Sequence, residues 1–117
     1  MASIVVTEAA RAHMRELLVR FPFKRPVLDI SWDRWGTHDN RRGPAGEVVW
    51  TTIRPVGWSA GLIDWEEMPD EVTGQHSPRP ASWGEIEIVL SSEVEEFGGQ
   101  LTIDYANGNL HVEAVPI

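Results

Sequence analysis

Cysteine is absent from this 117-residue chain, and with it go disulfide bridges, a thiolate nucleophile and any cysteine-ligated zinc or iron–sulfur centre built from the chain alone. Lysine is reduced to Lys24, and the arginines are scattered rather than striped. The formal charge of −8 repels phosphate backbones and anionic lipid, so neither nucleic acid nor a membrane is an expected partner. No run approaches the ~20 apolar residues of a membrane helix. The opening MASIVVTEAARAHM has too short an apolar run for a signal peptide, and Arg11 and Arg15 follow it rather than precede it. A cytoplasmic protein is the expectation. Also missing are a nucleophile elbow, a phosphate-binding glycine loop and an HExxH pair, so the expectation is a non-enzyme with no cofactor.

What is present is enough for one domain spanning residues 1–117: 42% of the chain is hydrophobic, sufficient for a core but not for a second domain at this length. Thr7 is placed to cap a helix over 8–20, with Glu8 in its first turn, where a carboxylate suits the positive end of the helix dipole. Ala10, Met14, Leu17, Leu18 and Phe21 form its apolar stripe. His13 lies beside that stripe and has no partner at ligand spacing, so it takes no role. Pro22 and Pro26 bracket a connection. Residues 26–32 then alternate as a strand, with Leu28, Ile30 and Trp32 on the buried face.

Residues 33–46, DRWGTHDNRRGPAG, lack any hydrophobic period and are punctuated by Gly36, Gly43, Pro44 and Gly46; they are expected to be loop. Residues 47–54, EVVWTTIR, resume as a strand apolar on both faces, which predicts a central or doubly covered position. A short strand is placed within 57–65, and residues 66–82 are expected to form a long surface loop. The acidic run of Asp64, Glu66, Glu67, Asp70 and Glu71 lacks the ligand alternation and central glycine of a calcium loop, so it is expected to be a solvated face.

Residues 86–115 carry the densest set of agreeing signals. Ile86, Ile88 and Leu90 alternate with Glu85, Glu87 and Val89. Ser91 or Ser92 can cap a short helix pinned by Val94 or Phe97, and Gly98 and Gly99 are expected to end it in the left-handed conformation. The pair Asn107 and Gly108 predicts a type I′ hairpin. That turn sets Tyr105 opposite Leu110, Asp104 opposite His111 and Ile103 opposite Val112, with Leu101, Ile103, Tyr105, Leu110, Val112 and Ala114 on one face. Asp104 beside His111 is the nearest approach to an acid–base dyad, and a cross-strand charge pair on a solvated face explains it.

Two blocks, SIVVTEAARAHMRELL and VLSSEVEEFGGQLTIDY, resemble the first helix and the later strand–helix–strand segment of HesB-like domains, the A-type iron–sulfur carriers. The blocks occur in the family's order and cover the first helix and the last third of the chain. The resemblance implies an α+β fold: a compact mixed sheet or pseudo-barrel with one N-terminal helix and a short helix before the last hairpin. It also implies a homo-oligomer. It does not bring the activity. The family places a cysteine after the strand matching residues 26–32 and a Cys-x-Cys pair beyond the last hairpin, and no cysteine stands at either place through Ile117. The expectation is a binding or accessory module that keeps the scaffold but carries no cluster.

The candidate surface for a protein or small-molecule partner comes from the six tryptophans, Trp32, Trp35, Trp50, Trp58, Trp65 and Trp83, several of them in or beside glycine and proline loops. Trp35, between Arg34 and Gly36, is the foremost contact residue, with His38 and Trp58 as the other candidates. The alternative is a metal or iron–sulfur assembly factor that uses oxygen and imidazole ligands, or a partner's thiols. Its ligands would be Asp33, His38 and Asp39, with His76 contributing from another loop.

Overall fold

The computed structural model describes residues 3–42, 45–54, 56–74, 76–81 and 86–116. Strand β1 (Ser3–Val6) leads into helix α1 (Glu8–Arg20), followed by β2 (Pro26–Asp33), β3 (Thr37–Arg42), β4 (Val48–Arg54) and β5 (Gly57–Asp64). A 3-10 turn (Trp65–Glu67) and helix α2 (Asp70–Thr73) precede β6 (Arg79–Pro80), β7 (Glu87–Leu90), helix α3 (Ser92–Glu96) and the hairpin of β8 (Gly99–Ala106) and β9 (Asn109–Pro116).

Among the described residues the strands form three sheets, ordered β1-β8-β9, β5-β2-β7-β6 and β3-β4. β1 runs parallel to β8 and β2 parallel to β7, while the remaining pairs are antiparallel, so the two larger sheets are mixed. β5 and β9 lie alongside each other, yet among the described residues the two larger sheets are not joined and the mixed sheet is unclosed.

The helix start follows its sequence signal. Thr7 is extended and its hydroxyl accepts from the Ala10 amide at 3.2 Å, satisfying one of the free donors of the first turn. The same hydroxyl donates to Asp104 Oδ1 at 2.7 Å, and the Thr7 amide donates to the Ile103 carbonyl at 3.0 Å. One residue therefore caps α1 and ties it to β8. At the far end the Phe21 amide donates to the Leu17 carbonyl, and Pro22 follows.

The main core lies between the larger sheets. Ala10, Met14 and Leu17 of α1 pack with Leu28, Ile30, Ile88, Leu90, Val94, Leu101, Ile103 and Leu110. Full burial of each large side chain stabilises by about 1.5–3 kcal/mol. A second, smaller cluster of Val27, Ile63, Trp65 and Val89, with Met68 against it, covers the opposite face of the four-stranded sheet. This sheet is thus apolar on both sides, which is why Val27 and Val89 are buried although they alternate with core residues.

Several expectations are corrected here. The stretch 33–46 is not loop throughout, because Thr37–Arg42 pairs along β4; Gly43 and Pro44, expected in that loop, lie outside the described residues. β4 is not central, since β3 is its one ladder partner among the described residues. The long loop placed over 66–82 holds the end of a 3-10 turn, α2 and the two-residue β6; its Gln75 and Ser82 lie outside the described residues. The short strand placed within 57–65 is a full eight-residue one. Trp32 projects beyond the buried stretch of its strand and is 44% exposed. Ser91 occupies the N-cap of α3, but its side chain makes no capping bond.

Gly98 and Gly99 do not stop α3 through a left-handed conformation: the positive-φ glycines among the described residues are Gly36, Gly46, Gly57 and Gly108. Gly99 is required for another reason. A Cβ there would collide with the Val115 carbonyl oxygen and crowd Pro116 Cα at 2.8 Å, where β8 and β9 begin their ladder.

Candidate functional site

The ladder between β2 and β5 sets Trp32 directly opposite Trp58, one step before the strands part at Asp33 and Gly57. The two rings meet edge-on, with centroids 4.8 Å apart and planes at 74°. Trp58 in turn meets Phe97 at 5.0 Å, and both pack against the main core. Aromatic pairs in such geometry gain about 0.5–1.5 kcal/mol beyond area burial. Trp32 is thereby held from below by a ring that is anchored in the core, while much of its own surface faces solvent.

Past the end of β2 the chain turns sharply. Asp33 Oδ1 accepts from the Trp35 and Gly36 amides at 3.0 and 2.9 Å, and Gly36 takes φ +77°. This turn presents Trp35 at 83% exposure. Val56, where β4 passes into β5, is 65% exposed. Single exposed apolar side chains are ordinary; here two exposed tryptophans, Trp32 and Trp35, flank Asp33 at the end of β2.

The sequence candidates are placed as follows. Trp35 is exposed and Trp58 is half-buried as the support of Trp32. His38 and Asp39 stand in β3 opposite Ile53 and Thr52; their side chains, and that of Trp50, lie outside what the structure describes, as does Trp83. Asp33 serves the turn through one carboxylate oxygen. Among the described residues no group of three His, Cys, Asp or Glu gathers as metal ligands. Trp32, expected on the buried face of its strand, is instead largely exposed, which its strand pattern does not signal. The available signal was its place at the end of an alternating run, next to Asp33 and a turn.

Other polar clusters are built into the framework. Asp64 is buried, and its carboxylate accepts from the Lys24, Arg25 and Glu66 amides at 2.9, 3.1 and 3.2 Å. Arg25 forks onto both oxygens of Glu87 at 2.8 and 3.2 Å; this bond raises the guanidinium pKa and lowers that of the carboxyl. A shallow cavity of about 280 Å³ beside them is lined by Lys24, Pro26, Pro80, Ala81 and Ile86 as well as the pair itself. Asp104 lies opposite His111 as the hairpin register requires. Its carboxyl is held below the usual range first by the Thr7 hydroxyl and then by the Tyr105 amide, with His111 contributing least. The His13 ring stacks on Tyr105 at 4.1 Å, and burial lowers its pKa.

No helix among the described residues is long and apolar enough to cross a membrane. Comparison with known proteins gives no match to a family model, to a curated protein or to a solved structure.

Proposed function

We propose that this chain is a cytoplasmic binding or accessory protein on a HesB-like scaffold, without a cluster or catalytic chemistry of its own, and that it engages a protein partner through Trp32 and Trp35. The scaffold reading is supported by the Thr7-capped helix behind a short strand and by the strand, short helix and hairpin of the last third. The observation that carries the functional reading is Trp32 kept exposed while Trp58, itself backed by Phe97, supports it from the core side. A rigid aromatic side chain loses little conformational freedom on binding, which is why tryptophan is enriched among the residues that dominate contact energies.

The test is photo-cross-linking in cells from position 34, which leaves both tryptophans in place, with position 19 on the outer side of α1 as the exposed control. A discrete adduct with another protein should form from position 34, fade in the Trp32→Ala variant and be missing from position 19. Equal diffuse labelling from both positions, or an adduct only at twice the mass of the chain, would overturn the reading.

A further inference from the structure

We infer that the partner protein of the tryptophan surface presents a basic segment, one arginine or lysine of which lies on the exposed ring of Trp32 while its neighbours pair with the glutamates of α3. The inference rests on the contact role proposed for Trp32 and Trp35 and names the chemistry of the segment that fills it.

The end of β2 sets the placement. The Ser91 amide donates to the Ile30 carbonyl at 3.1 Å, which starts α3 beside β2, two residues before Trp32. α3 then packs along β2, with Val94 in the main core. At its C-cap the Phe97 ring meets Trp58 at 5.0 Å, and Trp58 supports Trp32 at 4.8 Å. A run of three rings therefore joins the end of the helix to the exposed indole. Glu93, Glu95 and Glu96 of this helix are all exposed, and among the described residues none of the three is ion-paired.

Charge selects the occupant. Glu96 ends the helix, where the dipole is negative, Glu93 stands one turn before it, and no basic residue in the last turn offsets them. The free chain thus holds three carboxylates in a mildly unfavourable arrangement that an incoming cation relieves. Trp32 supplies the complementary half, because the indole face is the best aromatic acceptor of a guanidinium or ammonium. Arg34, exposed between the tryptophans, is offset by Asp33 beside it, and the chain total of −8 draws a basic segment in from a distance. An acidic segment would leave the glutamates facing like charge.

The adduct formed in cells from position 34 tests this once its site is sequenced. Mass spectrometry should place the cross-link in a partner segment of net positive charge. E95K/E96K should lower the adduct yield by about tenfold, while the denaturation midpoint of the chain stays unchanged or rises, since cations suit the end of a helix. A merely structural role would lower both together. E95D/E96D, which keeps the charge, should retain the adduct. An adduct within an acidic or uncharged segment, or one that forms equally well with E95K/E96K, would overturn the inference and leave the contact surface standing. Absence of any adduct from position 34 would remove the contact surface and the inference with it.

Discussion

Asp64 carries more of the framework than its place in an acidic run suggests. Its carboxylate answers three backbone amides from two separate segments, joining the start of β2 to the turn after β5. Asp64→Ala would leave those donors without their acceptor in a buried setting, and should cost about 3 kcal/mol in urea denaturation; Asp64→Asn, which keeps an acceptor oxygen, should cost less. Asp104 sets part of the pH dependence. Its folded-state pKa is depressed, so its contribution is complete above the ordinary carboxylate range, about pH 4, and is lost as pH falls through the lower folded value. Asp104→Asn should flatten the acid limb of stability against pH. His13 acts in the same direction at higher pH: burial disfavours its charged form, so stability declines as pH falls below the ordinary value of 6.5. His13→Gln should remove that decline. Among the tryptophans, Trp35→Ala should leave the denaturation midpoint unchanged, whereas Trp58→Ala should destabilise by about 2–4 kcal/mol because it removes the ring that joins Trp32 to Phe97.

At the scale of elements, the close approach at Gly99 gives the sharpest expectation. Gly99→Ala forces a methyl onto the backbone of β9, and should destabilise by about 1–3 kcal/mol or more; Gly98→Ala, with open space around the added Cβ, serves as the control. The contrast also shows where sequence reasoning ends. Thr7 and the Asn107–Gly108 turn were legible because their signals are local: a hydroxyl ahead of an apolar stripe, and two residues that accept positive φ, here +54° and +83°. The role of Gly99 was not legible, because what forbids a side chain there comes from residues 115 and 116. β3 was hidden for the same reason. THDNRR has no apolar alternation, and its strand conformation is set by the partner β4 rather than by its own composition.

Across the whole molecule, two mixed sheets enclose one core while the β3–β4 ribbon stands as a third sheet. The N-terminal helix and the short helix before the last hairpin follow from periodicity and caps, while the α+β class was implied by the family resemblance. Sheet closure depends on how β5 and β9 meet across the sequence, and there the strands adjoin without joining into one sheet. The candidate surface was legible only in part. Trp35 stood out in a stretch without apolar period, but the support of Trp32 by Trp58 arises from the β2–β5 register, which no local signal encodes. The central claim is that exposed Trp32, supported by Trp58, and exposed Trp35 form a contact surface, and affinity tests it most directly. The protein captured by cross-linking from position 34, once purified, should bind the W32A/W35A variant at least about tenfold more weakly than the wild-type chain, since buried tryptophan anchors commonly contribute 2 kcal/mol or more. Equal affinity for the two chains, with the variant's fold intact, would contradict the account.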